Sequence, residues 1–313
     1  MPLFLFLAGV FFSPSPKPKE YLLKKSDALL KPYFVTLFFL LFISILLKED
    51  GILMQAGGII YGNGHTIRWM PLWFLTHLWS LFVTSYLLFH YTKLDSQHVL
   101  VKLGIVFSMI LAGSYLVNKF GLFSVHIMGT NIVWEGLPFN IDIIFLSMAY
   151  FASGYFLNRQ VKEFTPRVPL LIAATLIFFS IVTCFDAIVD FNLRVYHQPV
   201  FSTIAAIAGI YLVLAASQYL KNSKILSSAI TTIGSASLFV LIFHSFIGGI
   251  TSEFIIHSLK VNSTSCCAAT SFIASVTLPL LIRKIILKSE ILKLFYFPLK
   301  DSRLLHPPNC GNQ

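Results

Sequence analysis

The sequence predicts an all-α, polytopic membrane helix bundle with about nine membrane segments. Of its 313 residues, 56% are hydrophobic and only 12% are charged, whereas soluble domains carry about 25% charged residues. The charge is also patterned, because all but five of the 23 lysines and arginines lie in alternate connections between apolar segments. Short basic connections face the cytoplasm, so the pattern predicts a cytoplasmic C-terminus and places Met1 on the outer side.

Nine apolar segments are the predicted spans. In order they are Met1–Phe12, Tyr33–Leu47, Pro71–Tyr91, Val99–Val117, Pro138–Leu157, Val168–Ala187, Val200–Leu220, Ile230–Ile250 and Thr264–Ile286. Because a helix rises 1.5 Å per residue, about twenty residues cross a hydrocarbon core of about 30 Å. The first segment covers only about 18 Å, so we expect a truncated, tilted or protein-buried helix there. A signal peptide is disfavoured, since no basic residues precede this segment and no small-residue cleavage site follows it.

The basic residues fit a membrane protein better than a nucleic-acid-binding one. The net charge is +10, but the positive residues lie in short loops and not in a stripe on a soluble domain. Five of them fall in predicted outer connections: Lys48, Arg68, Lys119, Arg194 and Lys260. Residues 1–287 are predicted to form the transmembrane domain and residues 288–313 a basic cytoplasmic tail. The lysines and apolar residues from Lys284 to Lys300 favour a helix on the anionic inner leaflet.

Four ionisable residues in four segments are predicted to share one depth, towards the outer side: His77, Asp142, Asp186 and His244. A charge at mid-helix costs about 2.5–3.5 kcal/mol on insertion scales, so such residues usually have a role. Two imidazoles beside two carboxylates can supply a general base and the group that orients it. The alternative is that each is a structural polar group, or reaches water near the end of its span.

Lysines on the predicted cytoplasmic side suggest a different chemistry. Lys24, Lys25 and Lys31 precede the second span and Lys102 begins the fourth, where fixed cations can hold the phosphates of an anionic ligand. The alternative is that they serve topology only. The sequence has no glycine-rich phosphate loop, His-Glu-x-x-His or Gly-x-Ser-x-Gly motif, which disfavours hydrolases and nucleotide-fuelled pumps. The four cysteines have no metal-ligand or paired spacing, so neither a metal site nor a disulfide framework is predicted.

Six short motifs occur along the chain. They are Met-Pro-Leu-Phe-Leu-Phe-Leu-Ala-Gly at residues 1–9, Leu-Leu-Lys-Pro-Tyr at 29–33, Leu-Trp-Phe-Leu at 72–75, Leu-Pro-Phe-Asn-Ile-Asp at 137–142, Ala-Ser-Gly-Tyr at 152–155, and Ile233-Gly234 through Ser237-Leu238 to His244-Ser245. In this order, the stretches resemble the second helix with its following loop, and then the fourth, sixth and ninth helices, of the acyltransferase 3 family in its sugar O-acetyltransferase branch. The matches span nearly the whole chain.

The resemblance implies a ten-helix enzyme, expected in the bacterial inner membrane, that takes an acyl group, typically acetyl, from acyl-CoA. The acceptor it implies is a hydroxyl of a sugar or cell-surface glycan, so the chemistry would be polysaccharide O-acetylation. The family's first helix, which carries the histidine regarded as catalytic, has no counterpart here, and we expect an upstream helix to supply that base.

The resemblance also implies roles for the candidate residues. His244 is expected as a polar residue on the acceptor side, with Asp142 orienting it or ion-pairing near it, and His77 is the third catalytic candidate. Trp73, Phe74 and Asp186 are expected to bind the acceptor. The lysines Lys24, Lys25 and Lys31 are expected to meet the phosphates of acyl-CoA. A transporter or flippase is the leading alternative, because polar groups at one depth also describe a substrate path; a catalytically inactive relative is the other.

Overall fold

A computed structural model describes residues 1–13, 17–92, 94–120, 123–127, 130–134, 136–258 and 263–299. Among the basic residues and cysteines counted in the sequence, Lys93, Lys260, Lys300, Arg303 and Cys310 lie outside these ranges. The thirteen α-helices of the described residues are α1 (Pro2–Val10), α2 (Pro18–Leu46), α3 (Ile52–Tyr61), α4 (Trp73–Thr92), α5 (Val99–Phe120), α6 (Ile144–Phe156), α7 (Asn158–Lys162), α8 (Val168–Cys184), α9 (Pro199–Lys221), α10 (Lys224–Ser235), α11 (Ser237–Glu253), α12 (Thr264–Ile286) and α13 (Glu290–Tyr296).

Seven helical segments of the described residues are long and apolar enough to cross a membrane. They are Pro18–Leu46, Met70–Thr92, Val99–Val117, Pro138–Phe156, Pro199–Lys221, Ser237–Ser258 and Thr264–Ile286. The predicted all-α polytopic bundle is thereby confirmed. Two of the nine predicted spans are shorter than this, since α1 has 9 residues and α8 has 17.

The chain divides into two compact units. Unit 1 comprises Met1–Leu30 with Leu37–Leu220, and unit 2 comprises Lys31–Thr36 with the described part of Lys221–Gln313. Two antiparallel hairpins belong to unit 1. Strand β1 (Phe123–Ile127) pairs with β2 (Thr130–Trp134), and β3 (Val189–Asp190) pairs with β4 (Val195–Tyr196).

In unit 1, α1 packs closely against α6 at two glycines. A side chain at Gly9 would overlap the carbonyl oxygen of Phe151, and one at Gly154 would overlap that of Phe6. Small residues let helix backbones approach in this way. Leu5, like most of the inward face of α1, is buried. Helix α1 is therefore packed into the protein along one face, whereas Phe4 on its other face is 63% exposed.

Helix α2 begins earlier than predicted. The sequence analysis placed a basic loop before a span at Tyr33–Leu47, but the helix begins at Pro18 and continues through Pro32 to Leu46. Proline suits the first turn of a helix, and the leucines and lysines that follow are good helix formers. An internal proline is tolerated in membrane helices, and Pro32 therefore does not end α2.

Two further boundaries differ from the prediction. Helix α3 was not predicted; it is a ten-residue helix between Gly51 and Gly62, both in the left-handed region with φ of 73° and 71°, where glycine ends helices without strain. The predicted span Ile230–Ile250 is broken at Ala236, whose φ of −106° and ψ of 11° separate α10 from α11. The serines on either side favour local hydrogen bonds over a continuous helix.

Unit 2 is organised around the pair α11 and α12. The hydroxyl of Ser275 on α12 donates to the carbonyl oxygen of His244 on α11 at 3.0 Å. At the other end of α11, Phe239 lies 5.9 Å from Tyr296 and 5.6 Å from Phe297 between ring centroids. These contacts anchor the end of α13 to α11.

Candidate functional site

The interior of unit 1 contains a buried ion pair between Arg194 and Asp142. Nε of Arg194 lies 3.1 Å from Oδ2 of Asp142, and the two side chains are 2% and 0% exposed. Asp142 belongs to a 3-10 turn (Pro138–Ile143) that leads into α6, and Arg194 belongs to the β3–β4 hairpin. The backbone N–H of Leu137 also donates to Oδ1 of Asp142 at 2.9 Å. A long-range hydrogen-bonded ion pair thus joins two loops that are 52 residues apart.

The guanidinium of Arg194 has further acceptors in the same place. Its Nη2 donates to Oδ1 of Asn140 at 2.8 Å. Its Nη1 donates to Oδ1 of Asn63 at 3.3 Å and to the carbonyl oxygen of Asn192 at 2.7 Å. We call these five residues, Asn63, Asn140, Asp142, Asn192 and Arg194, the Arg194 network. Because its donors and acceptors are largely paired with one another, its chemistry is to hold backbone segments in place.

Strained backbone accompanies this network. Phe139, Asn140 and Arg194 have positive φ angles of 54°, 57° and 54°, which cost free energy for residues with a side chain. The amide of Asn140 donates to the carbonyl oxygen of Gly62 at 3.2 Å, and the Thr76 hydroxyl donates to the same oxygen at 2.7 Å. The network therefore fixes strained turns next to the first turns of α4.

Tyr61, at the end of α3, also contacts this region. Its hydroxyl donates to the carbonyl oxygen of Gly136 at 2.7 Å. Burial raises the pKa of the Tyr61 phenol, and the negative charge of Asp142 raises it further, while Arg194 opposes them. Tyr61 therefore acts here as a neutral hydrogen-bond donor.

His77 on α4 is fully buried. Its Nε2 lies 2.6 Å from the hydroxyl oxygen of Ser147, and its ring centroid lies 5.8 Å from that of Trp73. Within the described residues, Oδ1 of Asn192 has no hydrogen-bond partner, and His77 Nδ1 has none of normal geometry, although the backbone of Asn140 lies close to the ring. An unpaired buried polar atom costs about 1–3 kcal/mol and marks a place where an ordered water or a ligand hydroxyl is expected.

The aromatic pair predicted to wall an acceptor site begins α4. Trp73 is buried and Phe74 is half-buried, with their rings edge-to-face and 6.0 Å apart. Phe4 of α1 lies 6.2 Å from Phe74. Asp186, the third predicted acceptor residue, is on the surface instead: it is 69% exposed and lies 3.3 Å from Nδ1 of His197.

His244 belongs to unit 2, and its ring is oriented by its own helix. Nδ1 lies 2.8 Å from the carbonyl oxygen of Val240 and 3.0 Å from that of Leu241. Carbonyl oxygens only accept, so Nδ1 carries the hydrogen, and in neutral imidazole the lone pair is then on Nε2. This is the tautomer that a general base acting through Nε2 requires.

The three predicted phosphate-binding lysines differ in their surroundings. Lys24 is exposed. Lys25 lies with its ammonium 3.6 Å from the centroid of the Phe82 ring, a cation–π contact. Lys31, in unit 2, donates to the carbonyl oxygen of Phe297 at 2.7 Å. Lys24 is consequently the one whose ammonium is presented to solvent, whereas the other two have structural contacts.

Comparison of the sequence with models of known protein families shows to which family this chain belongs. The acyltransferase 3 family model, described as an acyltransferase domain, matches residues 1–284. The chain belongs to this family. No curated protein and no solved structure matches the chain. The resemblance read from the sequence is therefore confirmed, and family membership supports a membrane acyltransferase.

In this acyltransferase 3 protein, the motifs that resemble the family lie at a helix entry, at a strained turn, at a close helix contact and in α11. Leu72–Leu75 forms the entry to α4, and Leu137–Asp142 forms the strained turn of the Arg194 network. Residues 1–9 and 152–155 contain the two glycines at which α1 and α6 meet. The stretch from Ser237 to His244 is the first half of α11.

Arg194 is the site residue that the sequence analysis missed. It was noted only as one of five basic residues in predicted outer connections. The sequence does contain a local signal for it. Arg194 lies in a short loop with Asp190 and Asn192, close to two spans, where a cation is expected to pair with a carboxylate. The structure brings Asp142 and Arg194 together, whereas His244 lies in the other unit. Among the described residues, no group of three or more His, Cys, Asp or Glu side chains could hold a metal ion.

Proposed function

We propose that this protein is a membrane-bound O-acyltransferase that moves an acyl group, most simply acetyl, from acyl-CoA to a hydroxyl of a sugar or cell-surface glycan. The family match over residues 1–284 and the seven long apolar helices of the described residues support a membrane acyltransferase. The donor, the acceptor and the bacterial inner membrane as its location are parts of the proposal.

The observation that carries the proposed chemistry is the pair of short contacts from Nδ1 of His244 to backbone carbonyl oxygens, from which the tautomer of the ring follows. With Nδ1 donating to the carbonyl oxygens of Val240 and Leu241, Nε2 of neutral His244 can accept a proton from the acceptor hydroxyl. This proposal gives His244 the role of base that the family resemblance had led us to expect from an upstream helix. The hydroxyl oxygen then attacks the thioester carbonyl carbon, and the bond between carbon and sulfur breaks. The leaving thiolate of coenzyme A takes the proton from the imidazolium, which returns His244 to its starting state.

The Arg194 network supports the acceptor side of unit 1 in this proposal. It holds the turn Pro138–Ile143 beside α4, which carries Trp73 and Phe74, and its members are positioning residues with no direct part in bond making. Asp142 belongs to this set, because both of its oxygens already accept hydrogen bonds. His77 Nδ1 and Asn192 Oδ1 are the buried atoms that a hydroxyl-bearing ligand or a water would pair. His77 is thus proposed as a contact for such a hydroxyl.

The donor is proposed to meet the basic end of α2. Lys24 is exposed and can approach a phosphate directly, as a compact, strongly hydrated cation does. For Lys31, replacement by alanine would also remove the hydrogen bond to the Phe297 carbonyl. A raised KM in that variant would therefore not by itself assign Lys31 to a phosphate contact, because the lost hydrogen bond can also alter the site.

The test is acetyl transfer by purified protein in liposomes, with acetyl-CoA as donor and a panel of soluble glycans as acceptors. His244→Ala should lower kcat by about 100-fold or more, because general-base catalysis contributes typically 10²–10⁴-fold. The matched control is His257→Ala, which removes an exposed histidine of the same unit and should leave kcat unchanged. Equal activity of wild type and His244→Ala at equal abundance would make His244 structural. Glycan movement across the same liposomes without acetyl-CoA would instead favour the transporter reading.

A further inference from the structure

Unit 1 contains a cavity among α1, α5, α6, α7 and α9. Its volume is about 420 Å³, within the range of about 300–1,000 Å³ that ligand sites occupy. The long walls are aliphatic. From α5 they include Leu103, Val106 and Ile110, and from α9 Ile207, Ile210 and Leu214.

Polar atoms occur mainly at the two ends of this cavity. One end is marked by Tyr150 and Thr203, whose hydroxyls are both bonded to the hydroxyl of Tyr196, at 3.1 Å and 2.6 Å. Gln160 and Tyr211 line the cavity towards its other end, where Leu214 is the last lining residue of α9. A chamber that is apolar along its length and polar at its ends suits a ligand that is a long hydrocarbon with a polar head.

The length of the cavity matches one leaflet of a bilayer. Thr203 and Leu214 both line it and are eleven residues apart on α9, which corresponds to about 16 Å of helix. A hydrocarbon core is about 30 Å thick. The cavity therefore extends over about half of that thickness, and it does so beside α5, a predicted span of which most side chains face outwards.

Positive charge surrounds the end marked by Gln160. The short helix α7 carries Arg159 and Lys162, both exposed, on either side of that glutamine. Nearby, the ammonium of Lys102 lies 5.3 Å from the centroid of the Phe156 ring. Glu163 offsets one of these charges, at 3.5 Å from Arg159, but an exposed pair of this kind is weak. This end is also the one predicted to face the cytoplasm, where the leaflet is rich in anionic lipid.

We propose that the cavity binds one hydrocarbon chain of an anionic phospholipid of this leaflet. The headgroup phosphate lies at Arg159 and Lys162, and the chain runs between α5 and α9 towards Tyr150. Among ligands with a long hydrocarbon chain and an anionic head, phospholipid is the one that always surrounds a membrane protein. In this proposal, one of its chains enters the cavity laterally from the bilayer. The bound chain fills the space between α9 and α6 and stabilises their packing. This inference does not depend on acyl transfer.

The experiment measures lipid bound to purified protein. Delipidated protein is incubated in detergent with phosphatidylglycerol or phosphatidylcholine, and bound lipid is counted by native mass spectrometry. Wild type should retain one phosphatidylglycerol and should bind phosphatidylcholine more weakly. Leu214→Trp and Ile207→Trp each place an indole in the cavity and should weaken this binding by roughly tenfold or more, equivalent to about 1.4 kcal/mol.

The controls separate the cavity from the surface. Val213→Trp adds the same indole on α9 at a position that does not line the cavity and should bind lipid as wild type does. The double variant Arg159→Gln/Lys162→Gln should lose the preference for phosphatidylglycerol while still binding either lipid. Ile207 is 60% exposed, so its replacement is expected to fold even if Leu214→Trp does not. Undiminished lipid binding in folded Ile207→Trp would overturn the proposal, and so would tight binding of palmitoyl-CoA that displaces all phosphatidylglycerol.

Discussion

Replacing Arg194 by methionine is the sharpest test of the Arg194 network. The change removes the guanidinium but keeps an unbranched side chain in a space where Arg194 is only 2% exposed. The carboxylate of Asp142, 0% exposed, then loses its counter-charge and retains only the N–H of Leu137. Removing one partner of a buried ion pair costs about 3–5 kcal/mol. At about 2 °C or more per kcal/mol for a chain of this size, the thermal midpoint should fall by at least roughly 6 °C.

Two companion variants show whether the cost is electrostatic. Arg194→Met combined with Asp142→Asn removes both charges and keeps an acceptor for Leu137, and it should recover much of the loss, since neutral replacement of a whole buried pair is often tolerated. Arg68→Met is the matched surface control. Arg68 bonds to Glu49, and its side chain is 55% exposed, so this loss should cost only about 0–1 kcal/mol.

The measurement is thermal unfolding in one detergent, followed by intrinsic tryptophan fluorescence and by loss of the monodisperse peak in gel filtration. Acyl transfer is measured on each variant that remains folded. The reasoning is refuted if Arg194→Met unfolds within about 1 °C of Arg68→Met, a difference below that of a single surface pair. It is also refuted if the double variant is no more stable than Arg194→Met, because the burial of an unpaired charge would then not be the cause.

Three other outcomes are expected. Gly9→Ala should destabilise the protein by about 1–3 kcal/mol in the same unfolding assay, because the added methyl group overlaps the backbone of α6. The control Gly104→Ala, which has no atom within 4 Å of the added methyl group, should be neutral or slightly stabilising. Equal stability of the two variants would contradict the close contact between α1 and α6. Lys24→Ala should raise the KM for acetyl-CoA and leave kcat nearly unchanged, and an unchanged KM would assign this lysine to topology alone. The orientation can be tested with variants that retain a single cysteine. A membrane-impermeant maleimide should label the exposed Cys266 in intact cells, and it should label Cys310 only after permeabilisation. Labelling of Cys310 in intact cells would contradict the predicted orientation.

Most of the fold could be predicted from the sequence, because apolar length and basic loops act over whole segments. The predicted helix boundaries that were wrong depend on competition between local hydrogen bonds, helix propensity and hydrophobicity. Helix α2 continues back to Pro18, since leucines and lysines form helix equally well in a polar segment. The break at Ala236 could not be foreseen from hydrophobicity, because Ile230–Ile250 is apolar enough overall to be read as one span. The serines on either side of Ala236, which favour local hydrogen bonds, decide the backbone there.

The site was only partly predictable. Asp142 and His77 were predicted as ionisable residues towards the outer side of two spans, and the structure adds that both side chains are buried. Sequence spacing could not show that the partner of Asp142 is Arg194, because the contact joins loops 52 residues apart. The lysines present a similar case. Their positions predicted a phosphate site, but only the structure shows that Lys25 lies on an aromatic ring and that Lys31 bonds to a backbone carbonyl.

The basic residues in predicted outer connections are informative because the orientation rule does not account for them. A lysine or arginine on the cytoplasmic side has a topological reason to be there. One on the other side lacks that reason, so another interaction should retain it. Three of the five basic residues in predicted outer connections have such an interaction in the structure. Arg68 bonds to Glu49, the ammonium of Lys119 lies 5.7 Å from the ring centroid of Tyr115, and Arg194 pairs with Asp142. Burial then distinguishes the three, since only Arg194 is withdrawn from solvent and bonded to several loops. In a polytopic chain, a cation that breaks the orientation pattern is therefore a place to look for a buried carboxylate and a candidate site.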